Sequence, residues 1–141
     1  MKLQPVYLVV GCPGSGKSWV CEQLKDRFEY VHHDLFQGMA GPTYVWELFR
    51  AAYTSDKPVL GEAPFSLSQI IEPLNAFGVK VKPVFISEAP QVIARRYLKR
   101  EKKSIPRGHL TRQETYAKRA RAMRAFSGTS AQVLDYLKAV P

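Results

Sequence analysis

Apolar and polar positions along the 141 residues alternate between two periods. Leu3 to Val10 is a nearly unbroken run of β-branched and apolar residues, the pattern of a strand buried on both faces. Directly after it the period lengthens, with Val20, Leu24 and Phe28 at i, i+4 and i+8 on one helical face. Tyr30 to His33 predicts a short second strand ending at Asp34, before a loop marked by Gly38 and Gly41-Pro42. Val45, Leu48, Phe49 and Ala52 predict a second helix, and Pro58 to Gly61 a third strand that closes on Glu62. Leu67, Ile70, Ile71, Leu74 and Phe77 keep helical period up to Gly78, with Pro73 bending the helix rather than breaking it. Val79 to Ile86 predicts a fourth strand, and Pro90 suits the first turn of a helix running to about Glu101. Lys102 to Leu110, with Pro106 and Gly108, predicts a loop. Thr111 with Glu114 reads as a capping box opening a helix on which Tyr116, Ala120 and Met123 share a face. Thr129 with Gln132 repeats that signature before a terminal helix carrying Val133, Leu134 and Leu137.

Strands alternating with helices call for a small, about four-stranded parallel sheet with right-handed crossovers and helices on both faces. In such an α/β sheet ligands gather at the carboxyl ends of the strands, where Asp34, Glu62 and Ser87-Glu88 fall. The length and the 45% hydrophobic content fit one domain over residues 1–141. The first residues lack the charged, apolar and small-residue series of a signal peptide, and no apolar run is long enough to span a bilayer, so a cytoplasmic location without membrane contact is expected. Cys12 and Cys21 are too few for a disulfide framework and lack zinc-site spacing, so both read as thiols.

Net charge is +9, and its placement says more than its size. Between Arg95 and Arg124 stand twelve of the 21 Lys and Arg against two of the 12 acids, Glu101 and Glu114, so the rest of the chain is nearly neutral. A local anionic partner explains that segregation; a solvated basic helix face would also satisfy it.

The chemistry begins at Gly11-Cys12-Pro13-Gly14-Ser15-Gly16-Lys17-Ser18, a G-x-x-x-x-G-K-S phosphate-binding loop between the first strand and the first helix. Its glycines let backbone N–H groups curl around phosphate oxygens, Lys17 reaches the β and γ phosphates, and the Ser18 hydroxyl takes Mg²⁺. ATP with Mg²⁺ is therefore the expected ligand, bound by Gly11, Pro13, Gly14, Ser15, Gly16, Lys17 and Ser18. Transfer of a phosphoryl group to an alcohol also needs a base and cations around the migrating group. Asp34, at the sheet edge, is placed to accept the hydroxyl proton, although aspartate is also common in turns. Arg96 and Arg100 are i, i+4 neighbours on one helix face and lead into Lys102, Lys103 and Arg107, a pattern that suits a closing basic lid. Arg107 and Arg112 could hold an anionic acceptor. Glu62 could hold Mg²⁺ through water, orient its neighbours, or remain a solvated carboxylate. Ser127-Gly128-Thr129 offers either a wall for the adenine ring, through Thr129, or a plain helix cap.

Taken together, the loop, Asp34 and the stretch from Ile93 to Pro106 resemble the kinase domain of bacteriophage-type polynucleotide 5′-hydroxyl kinases, within the wider nucleoside and nucleotide kinase group. The resemblance implies a three-layer P-loop NTPase fold with a basic lid at about residues 100–111. It also implies ATP- and Mg²⁺-dependent transfer of the γ-phosphoryl group to a nucleic-acid 5′-hydroxyl end. Lys17, Asp34 and Arg100 would be catalytic, Arg96 would bind ATP, Ser18 and Glu62 would serve the metal, and a phage-encoded enzyme would work in the bacterial host cytoplasm. The chain departs from the family in three places: Trp19 follows the loop where threonine is common, Gln37 stands where the family has an acceptor-binding arginine, and Glu62 where it has aspartate. No aspartate-rich phosphatase motif stands in these 141 residues, so a phosphatase activity is not expected of them, and no protein partner is inferred. Kinases of a nucleoside, a nucleotide, a modified base within DNA or another small alcohol are the alternatives. A nucleotide-binding module without an acceptor would use the same loop and need neither Asp34 nor Arg100.

Overall fold

A computed structural model describes residues 3–11, 15–32, 41–63 and 67–141, and of Leu67, Arg107, His109, Leu110, Arg112, Gln113 and Tyr116 the backbone alone. Strand β1 (Val6–Val10) leads to helix α1 (Lys17–Gln23), strand β2 (Glu29–Tyr30), helix α2 (Gly41–Thr54), strand β3 (Val59–Ala63) and helix α3 (Leu67–Ala76). Strand β4 (Val81–Ile86), helices α4 (Pro90–Glu101) and α5 (Arg107–Met123), strand β5 (Phe126–Gly128) and helix α6 (Ser130–Lys138) follow. The strands form one parallel sheet in the order β2-β3-β1-β4-β5. From β1 the chain crosses to the edge strand β2, comes back to β3 beside β1, and then passes β1 to build the other half with β4 and β5. The carboxyl end of β1 is therefore the switch point at which an open α/β sheet binds its ligands.

Side-chain parity sorts the core into two layers. Val6, Leu8 and Val10 of β1 pack with Tyr44, Val45 and Leu48 of α2, Leu74 of α3, Ile93 of α4 and Ala120 of α5. Tyr7 and Val9 point the other way, onto Val20 and Cys21 of α1, then Leu24, and Val133, Leu134 and Leu137 of α6. Each fully buried Val or Leu in these layers contributes roughly 1.5–3 kcal/mol. On β3 the same alternation sends Leu60 to the α1 face, and Glu62, two residues on, shares that orientation.

Several predicted boundaries move. The sheet has five strands: Phe126–Gly128 pairs with Val84–Ile86 where the sequence suggested only a loop. The second strand is two residues, and Glu62 lies inside β3 rather than beyond it. Helix α4 starts and stops as expected, with Pro90 in its first turn and Lys102 closing it in the left-handed conformation at φ 58°. Pro73 stays inside α3. The expected loop from Lys102 to Leu110 is shorter, because α5 begins at Arg107, after Pro106. Thr111 is thus internal to α5, where Pro106 holds the N-cap position; its carbonyl accepts from the Thr115 hydroxyl at 3.2 Å. The Thr129–Gln132 capping box at α6 forms in full, its side-chain and backbone bonds measuring 3.2 and 2.9 Å.

Candidate active site

The phosphate loop leaves β1 at Gly11 and enters α1 at Lys17. Gly16 makes the bend at φ 103°, in the left-handed region that glycine takes without steric cost, and a Cβ there would stand 3.0 Å from Ser130 Cβ. Lys17 Nζ spans the loop and donates to the Gly11 carbonyl at 2.7 Å. The Ser15 hydroxyl is buried with no hydrogen-bond partner among the described residues. Its carbonyl accepts from Arg96 Nη1 of α4 at 3.0 Å.

Beside the loop, the Ser18 hydroxyl donates to Glu62 Oε1 at 3.1 Å, while His32 Nδ1 stands 3.8 Å from Glu62 Oε2. Both carboxylate oxygens thus face polar groups in a site from which Glu62 is only 3% exposed. Tyr44 sets the height of this carboxylate. Its buried hydroxyl donates to the Val31 carbonyl at 2.9 Å and accepts from the Glu62 N–H at 2.8 Å, tying the end of β2 to β3. Gly61 permits that approach: a Cβ would lie 2.9 Å from the Tyr44 hydroxyl and 2.8 Å from Leu48 Cδ2. Burial raises the Tyr44 pKa far above its ordinary value, so the phenol stays a neutral donor and acceptor. Burial likewise raises the Cys21 thiol, the nearby Glu62 charge adding to the shift and Lys17 opposing it.

On the other flank Glu88, nearly buried, accepts from both the N–H and the hydroxyl of Ser130, at 2.8 and 2.7 Å. Its same oxygen lies 3.6 Å from Arg96 Nη1. One carboxylate therefore holds the start of α6 and the arginine that grips the loop. Between them, Gly16, Trp19, Arg96, Ser130 and Ala131 line a cavity of about 490 Å³.

The structure gathers some of the expected residues and not others. Gly11, Ser15, Gly16, Lys17, Ser18, Glu62 and Arg96 meet at the switch point. Arg100 does not join them: its Nε donates to Glu101 at 2.9 Å, its guanidinium lies 5.7 Å from the Tyr97 ring centre, and it is 55% exposed. Thr129 caps α6 through both its hydroxyl and its N–H, as its reading as a helix cap expects. Pro13, Gly14, Asp34 and Gln37 lie outside the described residues. Arg107 opens α5 and Arg112 follows within it, each known by its backbone alone. Tyr44, Trp19 and the Glu88–Ser130 pair were absent from the expected site. Only the position of Glu88 at a strand end hinted at the last.

The donor chemistry fits a nucleotide with Mg²⁺. Ser18 and Glu62 present hard oxygens, and Mg²⁺ takes few protein ligands, filling its shell with water and phosphate. The orphaned, buried Ser15 hydroxyl and the Lys17 ammonium suit a phosphate in the loop.

No known family model matches the chain, and no curated protein matches it in sequence. Solved structures do. A gluconokinase from Sinorhizobium meliloti 1021 is 17% identical, with 96% of this chain and 90% of that one aligned at a TM-score of 0.64. The tunicamycin resistance protein of Deinococcus radiodurans is 15% identical over 96% and 94% of the two chains, at 0.63. A sugar kinase from Janibacter sp. HTCC2649 is 16% identical over 95% and 92%, at 0.55. The fold is a small α/β fold of the P-loop NTPase kind. At these identities the likeness is one of architecture: a parallel sheet of five strands, helices on both sides, and the phosphate loop at its switch point. Among the described residues, no helix of this P-loop fold is long and apolar enough to cross a membrane.

Proposed function

We propose that the chain is an ATP- and Mg²⁺-dependent phosphotransferase that moves the γ-phosphoryl group to a hydroxyl carried by a nucleic acid, a 5′-hydroxyl end foremost. The observation that carries this reading is the bond from Arg96 to the Ser15 carbonyl, which seats the arginine-bearing helix α4 on the phosphate loop. Arg100 stands about one turn further along the same helix, and the chain then runs into α5 and the rest of the basic segment. Lys99, Lys102, Lys103, Lys118, Arg119, Arg121 and Arg124 are all exposed, a cationic surface that a polyanionic acceptor would neutralise.

Bound Mg²⁺ would draw charge from the β and γ oxygens, with Ser18 and Glu62 as its protein donors. Lys17 leaves the Gly11 carbonyl for the phosphates, Asp34 takes the proton of the acceptor hydroxyl, and Arg100 leaves Glu101 to meet the charge on the migrating phosphoryl group. The acceptor oxygen forms the new bond to γ-phosphorus as the bond to the β-phosphate oxygen breaks, releasing ADP. Gln37, Arg107 and Arg112 would hold the acceptor. A second reading, phosphorylation of a small alcohol such as a sugar acid, nucleoside or nucleotide, is favoured by the near full-length likeness to a gluconokinase and a sugar kinase.

Labelled ATP offered with a 5′-hydroxyl oligonucleotide, its 5′-phosphorylated form, free nucleosides and gluconate separates the readings. Label is expected on the 5′-hydroxyl oligonucleotide, and Asp34→Asn should bind ATP and fail to transfer. Label on a nucleoside or gluconate alone would replace the first reading with the second; ATP binding without transfer to any acceptor would leave a nucleotide-binding module.

A further inference from the structure

The cavity beside the loop has one large side chain that neither the phosphate contacts nor the metal donors use. Trp19 stands two residues after Lys17 and is 49% exposed, against the rule that a large aromatic finds cover. Its indole forms one wall of the cavity, and Gly16, Arg96, Ser130 and Ala131 form the rest. Part of the polar lining is already committed. Arg96 Nη1 donates to the Ser15 carbonyl and faces Glu88, and Ser130 gives both its N–H and its hydroxyl proton to Glu88. No carboxylate or carboxamide side chain is among the described lining residues. Guanine is distinguished from adenine by the donors N1–H and N2–H₂, which a carboxylate or carboxamide would read, and the one side-chain acceptor among the described lining residues is the Ser130 oxygen, whose own proton goes to Glu88.

We propose that this cavity takes the base of the nucleoside triphosphate and reads it by stacking on Trp19, so that the protein selects purine over pyrimidine and accepts ATP and GTP alike. The inference rests on the nucleotide reading of the phosphate loop and adds to it the class of donor. A purine offers the indole a larger π-face than a pyrimidine, and stacking is indifferent to the exocyclic groups that separate the two purines. The cavity's 490 Å³ is also ample for the bicyclic base.

The test uses the full chain carrying Trp46→Phe, which removes the one other tryptophan, on α2, and leaves Trp19 as the sole indole emitter. ATP, GTP, CTP, UTP and inorganic tripolyphosphate are titrated against Trp19 fluorescence and, in parallel, by calorimetry. ATP and GTP are expected to quench with affinities within about threefold of each other, the pyrimidine nucleotides to bind about tenfold more weakly, and tripolyphosphate to bind without stacking-type quenching. In the calorimetric series Trp19→Ala should weaken ATP and GTP by about five- to a hundredfold and erase the purine advantage, while tripolyphosphate affinity holds and Trp19→Phe restores part of the preference. A Trp19→Ala protein that keeps its purine-to-pyrimidine ratio overturns the proposal, as does a preference of more than about tenfold between ATP and GTP. If tripolyphosphate and all four nucleotides fail to bind, the nucleotide reading falls, and this inference with it.

Discussion

The phosphate loop and the basic helix pair α4–α5 meet at Arg96, yet they are held in different ways. Around the loop, polar atoms are buried or part-buried and mutually engaged: Glu62 with Ser18 and the Tyr44 hydroxyl, Glu88 with Ser130, and Lys17 with Gly11. Along α4–α5 the charged side chains are exposed, and the one bond Arg100 is seen to make is to its chain neighbour Glu101. Buried, satisfied polar groups fix geometry because breaking them leaves an unpaired group in a low dielectric. An exposed ion pair fixes little, since water and salt replace it readily. The described ends of the loop are therefore fixed by their contacts, and the proposed transfer needs the basic pair to move when substrate arrives.

The contrast is open to attack at each of its terms. Arg100→Ala should cut single-turnover transfer about a thousandfold, near 4 kcal/mol of transition-state stabilisation, while the melting temperature stays at the wild-type value. A large fall in melting temperature would show that Arg100 belongs to the fixed part of the structure. Glu88→Ala leaves two buried donors of Ser130 unpaired and should lower stability in urea by about 2 kcal/mol; an unchanged midpoint would mean that the flank is not held as described. Thr129→Ala removes the α6 cap and should cost about 1 kcal/mol in the same measurement, sharpening the comparison because the capped helix also supplies Ser130 and Ala131 to the cavity. Glu101→Ala, which breaks the exposed pair with Arg100, should shift stability by no more than about 0.5 kcal/mol, and a larger loss would contradict a mobile arginine.

What could be read from the sequence follows the range of the forces involved. Helix α4 was legible at both ends because Pro90 acts on its own turn, and the α6 cap because Thr129 and Gln132 are three residues apart. Strand β5 was not, since Phe126–Gly128 has no alternation to display and exists through pairing with β4. The Thr111–Glu114 pattern misled because Pro106 starts α5 earlier, turning a would-be cap into an internal residue. At the site, the phosphate loop is a local motif, and its described residues, Gly11 and Ser15 to Ser18, stand between β1 and α1 as the sequence reads. The hydroxyl of Tyr44 under Glu62 and the grip of Glu88 on Ser130 join residues 18 and 42 positions apart, and only the assembled sheet creates those meetings.

The parallel order of that sheet also sets a timetable. β1 carries the phosphate loop, yet its Val6 pairs with Val59 on one side and Val81 on the other, so both neighbours are synthesised after it. Parallel pairing across such separations forms slowly, because the intervening chain must be ordered before the contacts repay it. A nascent chain released before β4 would contain every residue of the nucleotide motif and lack the strand that closes one side of it. The first functional segment to leave the ribosome is in this sense among the last to take its working shape.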